Sequence, residues 1–93
     1  MTDEIMTQHP EGKQGVNISR DKYDLVREAI LEAFKDGSDL TFGGLSERVE
    51  TILEGRFEGS IMWYLTTIKL DLEARGEIER VNNGSPQRMR ATK

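Results

Sequence analysis

The chain has no cysteine among its 93 residues, which excludes a disulfide framework and a thiolate metal site. No apolar run approaches the roughly 18 residues that a membrane span needs. The opening residues carry no apolar stretch of the kind a signal peptide requires, so a cytoplasmic protein with no membrane partner is expected. Histidine occurs once, as His9. With one histidine and no cysteine there is no Ser-His-Asp or Cys-His set for nucleophilic catalysis. His9 sits in a polar stretch and reads as solvated. Gly12-Lys13 lacks the strand, the glycine spacing and the Ser/Thr of a phosphate loop. Asp71 and Glu73 read as helix-surface charges rather than metal ligands. The expectation is a non-enzymatic protein with no cofactor and no metal site.

What the chain does hold is enough for one domain. A domain of this size buries only about 60% of its unfolded surface, so it should be marginally stable unless it pairs. Its net charge is −4, unevenly spread. Residues 36–59 carry six acids (Asp36, Asp39, Glu47, Glu50, Glu54, Glu58) against Arg48 and Arg56, a sum of −4. Residues 82–93 carry Arg88, Arg90 and Lys93 with no acid, a sum of +3. Overall acidity weakens nonspecific attraction to nucleic acid, while the basic end keeps a local attraction available.

Residues 1–18 are polar, include Pro10 and two glycines, and show no apolar period. They are expected to form a disordered tail ahead of a folded domain over 19–91. Ser19 is placed to cap a helix from Arg20 to Lys35, with Tyr23, Val26, Ile30, Ala33 and Phe34 on its buried face. Leu40-Thr41-Phe42 reads as extended. A second helix is predicted from Gly43 to Leu53, with Thr41 as its cap and Leu45, Val49, Ile52 and Leu53 inward. Glu47, Arg48, Glu50 and Glu54 mark its solvated side. Phe57 is expected to plug the core from the following loop. A third helix starts after Ser60 and ends at Gly76, with Ile61, Leu65, Ile68 and Leu72 on one stripe and Tyr64 beside it. Arg75 in its last turn suits the helix dipole. Residues 77–81 alternate as a strand with Ile78 inward. Asn82-Asn83-Gly84 tolerates the positive φ of a hairpin turn, and a returning strand is expected after Pro86. The class is α+β, mainly α with a small β-hairpin.

That order, helix-strand-helix-helix-strand-strand, resembles the winged helix-turn-helix superfamily. The densest match is Leu72-Glu73-Ala74-Arg75-Gly76-Glu77-Ile78-Glu79-Arg80. It is similar to the run that closes the recognition helix and opens the wing in many bacterial and archaeal regulators. The chain also resembles small uncharacterised bacterial winged-helix domains with a P-x-R wing strand. The resemblance covers about residues 20–91 and implies a DNA-binding or transcription-associated protein that meets the duplex through helix three and a basic wing. One departure is the loop 54–59, which is longer than the three- or four-residue turn of a simple helix-turn-helix.

The other departure is the exposed face of helix three. Trp63, Thr66, Thr67, Leu70 and Ala74 lie away from the core stripe. A DNA-reading helix usually presents Arg, Lys, Asn or Gln. If the fold binds double-stranded DNA, the contacts would be Thr66, Thr67 and Lys69 on the helix, and Arg80, Arg88, Arg90 and Lys93 on the wing. The alternative is a protein-interaction or dimerisation module without nucleic-acid binding. There Trp63 and Leu70 would meet a second copy or another protein. Packing of Trp63 and Leu70 beneath the wing or the loop after helix two is a third possibility.

Overall fold

In the computed structural model, which describes residues 3–13, 15–81 and 87–92, eight elements follow one another. They are β1 (Glu4–Met6), β2 (Asn17–Ser19), α1 (Arg20–Ala33), β3 (Leu40–Thr41), α2 (Phe42–Leu53), α3 (Ile61–Arg75), β4 (Ile78–Arg80) and β5 (Arg88–Ala91). The three helices arise from the periodicities described above, and their ends follow from local hydrogen bonding. The Thr41 hydroxyl accepts from the Gly44 N–H at 3.1 Å and opens α2. The Ser60 hydroxyl accepts from the Trp63 N–H at 3.2 Å and opens α3. Gly76, at φ 80°, closes α3 in the left-handed region, where a Cβ would be strained. Ser19 occupies the position before α1, but its side chain makes no capping bond. It is still paired to Glu4 as the last residue of β2, so its backbone serves the strand.

Packing of the helices buries the apolar stripes together. Val26 and Ile30 of α1, Leu45 and Val49 of α2, and Leu65, Ile68 and Leu72 of α3 are fully buried. Each such aliphatic side chain contributes roughly 1.5–3 kcal/mol of transfer free energy. Phe34 closes the end of α1, and Phe57 packs partly buried against the cluster from the α2–α3 loop. Tyr64 stacks edge-on against Phe57, centroids 5.1 Å apart.

The sheet after α3 has the order β3-β5-β4, all antiparallel. Met89 of β5 lies opposite both Leu40 and Arg80 and is buried. Ile78 of β4 is also buried, as its inward position between two glutamates requires. The expected turn at Asn82-Asn83-Gly84 lies outside the described residues.

The expectation of a disordered tail over residues 1–18 is corrected by the described part of that segment. β1 and β2 pair antiparallel, Glu4 with Ser19, Ile5 with Ile18 and Met6 with Asn17. Ile18 is buried in the main core and Ile5 packs partly buried against it. The Arg20 N–H donates to the Asp3 carbonyl at 2.9 Å, and the Thr7 N–H to the Val16 carbonyl at 2.9 Å. Val16 returns a bond to the Thr7 hydroxyl at 2.9 Å. A Cβ at Gly15 would overlap the Thr7 backbone, so the crossing is open only to glycine. Order here comes from partners distant in sequence, which local composition does not reveal.

Candidate interaction site

The N-terminal hairpin is held on α3 through Asp71, whose side chain is 0% exposed. The Tyr23 hydroxyl donates to Asp71 Oδ2. Arg75 Nε lies 2.9 Å from both carboxylate oxygens. The Gln8 backbone N–H donates to Oδ1 at 2.8 Å. Asp71 therefore joins α1, α3 and the hairpin at one point. Reading it as a helix-surface charge was an error. On the helical wheel it neighbours the core stripe, and a carboxylate is buried there because three donors surround it. Burial, with the hydrogen bond to Asp71 second, pushes the Tyr23 phenol well above its ordinary value. The bond to Asp71 likewise holds Arg75 more firmly charged than a free guanidinium.

Glu73 is also internal, with 6% of its side chain exposed. Arg80 Nε donates to its Oε1 at 2.8 Å. The Lys69 ammonium lies 3.2 Å from Oε2. That is a contact of charges rather than an aligned hydrogen bond, since among the described residues Oε2 has no hydrogen-bond partner. Lys69 itself is only 13% exposed and lies 5.8 Å from the centre of the Phe42 ring. One carboxylate thus draws in two of the cations expected to meet DNA.

The remaining expected contacts are scattered. Arg90 Nε donates to Glu79 Oε2 at 2.7 Å across β4 and β5, a bond that also raises its pKa. Arg88 is exposed and reaches the Asp39 carbonyl at 3.4 Å. Thr66 is exposed, while Thr67 is half-buried. Lys93 lies outside the described residues. The geometry gathers Lys69 and Arg80 around Glu73 but does not bring Thr67 to their side of the helix. Thr67 lines a cleft of about 210 Å³ together with Thr7, Gln8, His9, Val16, Trp63 and Leu70.

That cleft answers what covers the second apolar stripe of α3. Among the described residues, the turn of the N-terminal hairpin faces Trp63 and Leu70 across it. It leaves Leu70 half-buried and Trp63 48% exposed. Met62, one residue earlier, is 42% exposed on the flank toward α2. A strip of Met62, Trp63, Thr66 and Leu70 therefore runs along the open side of α3. Among the described residues no helix is long and apolar enough to cross a membrane.

The site residues that sequence reasoning missed are Thr7, Gln8 and Met62. For the hairpin the available signal was small: Ile5, Met6, Val16 and Ile18 flank a turn-rich stretch, too few apolar residues to set a period.

The described residues make a small α+β domain of three helices and short antiparallel sheets, with a partly covered apolar strip on its third helix. The chain belongs to the DUF6958 family, a family of unknown function, whose model matches residues 4–89. The match begins inside β1, so the hairpin is part of the family's domain. No curated protein and no solved structure matches the chain.

Proposed function

We propose that this chain is a winged-helix protein-interaction module, with α3 in the recognition position and β4–β5 as the wing, and that it works through the strip Met62-Trp63-Thr66-Leu70 without binding nucleic acid. The observation that carries the reading is the state of the cations near that strip. Lys69 and Arg80 are both committed to Glu73, and Arg90 to Glu79. Each must leave an acid of its own chain before it can neutralise a phosphate, and that acid would then face the duplex. What the helix leaves to solvent is instead two large apolar side chains, including the chain's one tryptophan. Tryptophan is enriched among the residues that dominate binding energy at protein interfaces. The acids of α2 add to the repulsion of a polyanion.

A salt titration against random duplex DNA tests this reading, with the protein's mass in solution measured alongside. The expected result is no saturable binding at low salt. Micromolar binding with a log–log salt slope of about −3 to −4, abolished by Arg88→Glu with Arg90→Glu, would replace the proposal with DNA binding through the wing.

A further inference from the structure

The strip does not end on α3. Met62 and Ile61 also form one wall of a cleft of about 850 Å³ between α2 and the start of α3. The opposite wall carries Glu47, Glu50 and Glu54 with Thr51. Spacings of three and four residues put Glu47, Glu50 and Glu54, the residue that caps the helix, along one side of α2. They span roughly 10 Å at a rise of about 1.5 Å per residue. Among the described residues none of them makes an ion pair. All three are exposed, as is Glu58 in the following loop. The one arginine on α2, Arg48, is turned to other work, donating to the Ala33 carbonyl at 2.8 Å and pairing with Asp36 at 3.3 Å.

Resting on the interaction reading above, we propose that the occupant of this cleft and strip is a basic amphipathic helical segment of another protein. Its apolar side would lie on Ile61, Met62 and Trp63, and its lysines or arginines along Glu47, Glu50 and Glu54. Charge complementarity selects this partner. Cations repeating every three or four residues on one helix match the repeat of the acids on another. A second copy of the chain is disfavoured by the same feature, because a two-fold contact through the strip brings two rows of unpaired glutamates toward each other. The full net charge of −4 adds to that repulsion.

The test uses the full chain and synthetic peptides of about 18 residues, long enough for several helical turns. One carries leucines at i, i+3, i+4 and i+7 among lysines. A second has the same composition in scrambled order, and a third replaces lysine by glutamate. Emission from Trp63, the chain's single tryptophan, reports binding. The patterned lysine peptide should bind and shift the emission, and the other two should not. Replacing Glu47, Glu50 and Glu54 together by glutamine should weaken binding at least about tenfold, as should raising the salt until the Debye length falls well below about 10 Å. These acids are exposed, so the variant keeps the wild-type circular dichroism and thermal midpoint. Equal binding of the scrambled peptide, or no loss in the glutamine variant, overturns the inference. Binding of the glutamate peptide instead overturns it while leaving the interaction reading in place. A doubling of mass abolished by Trp63→Ala does the same, and names a second copy as the occupant. Saturable, salt-sensitive binding of duplex DNA by the protein alone, in the absence of peptide, would remove the interaction reading itself.

Discussion

Replacing Asp71 by alanine should remove a large share of the protein's stability. The carboxylate is fully buried and accepts from Tyr23, Arg75 and the Gln8 amide. The three donors fare differently without it. The Gln8 amide is close enough to the surface for water to replace the bond. Arg75, with 31% of its side chain exposed, turns outward at little cost. The Tyr23 hydroxyl is left inside a buried residue, and an unsatisfied buried donor costs about 1–3 kcal/mol. Adding the charge-assisted bonds that vanish, about 1.5–3 kcal/mol, the loss should reach about 3–5 kcal/mol. A domain of this length has roughly 5–14 kcal/mol in total at about 0.05–0.15 kcal/mol per residue. Urea unfolding followed by far-ultraviolet circular dichroism and by Trp63 emission measures the change. Asp71→Asn keeps one acceptor and should cost less than Asp71→Ala. Tyr23→Phe removes only the donor that would be stranded, so it should cost about 1.5–3 kcal/mol, the range for a hydrogen bond to a charged group, and Asp71→Ala in its background should be milder than alone. A loss below about 1 kcal/mol for Asp71→Ala, inside the range of an ordinary surface change, would refute the account of Asp71 as the point that ties α1, α3 and the hairpin together.

Three other perturbations have definite outcomes. Leu65→Ala should cost about 2–5 kcal/mol from the cavity it leaves, whereas Trp63→Ala, at a half-exposed site, should cost under about 1 kcal/mol; comparable losses in urea midpoints would mean that Trp63 is a core residue. Gly15→Ala should detach the hairpin turn, raising amide exchange at Thr7 and Gln8 at least about tenfold while the buried turns of α1 keep their protection; unchanged exchange would show that the turn can re-form around a methyl group. The raised pKa of Tyr23 favours the neutral phenol in the folded state. Its stabilising effect is complete below the unfolded value of about 10 and is lost as pH rises through the folded value. Urea midpoints should therefore fall above about pH 10, and Tyr23→Phe should flatten that fall.

Most of the helical scaffold was legible in the sequence, because its determinants are local. The cap at Ser60, the cap at Thr41 and the left-handed Gly76 depend on residues within one turn of themselves, and all three appear where the residue types indicate. The buried faces of α1, α2 and α3 follow from a period of 3.6 over at least three turns. The strand after Gly76 and the one after Pro86 were readable from alternation and from the missing amide of proline. The hairpin at the other end was not. Its strands are three residues each, too short for a period, and its strongest partner is a carboxylate 63 residues away. Asp71 and Glu73 were misread for a related reason. A charged residue is assigned to the surface by default, and only the donors brought by other elements, Tyr23 and the Gln8 amide for one and Arg80 for the other, make it internal. The candidate phosphate contacts were identified by type and position. Their pairing with Glu73 and Glu79 depends on side-chain reach across elements, which spacing along the chain does not encode.

The strand order β3-β5-β4 puts the four-residue strand in the middle and leaves edges of two and three residues. Edges so short present few free amides and carbonyls, hence almost no template for a further strand to zip onto. The same holds for the three-residue strands of the N-terminal hairpin. Among the described residues, recruitment by backbone pairing therefore has little to start from. A partner would then be met by side chains rather than by strand edges, so any such association is open to tuning, or to loss, one residue at a time.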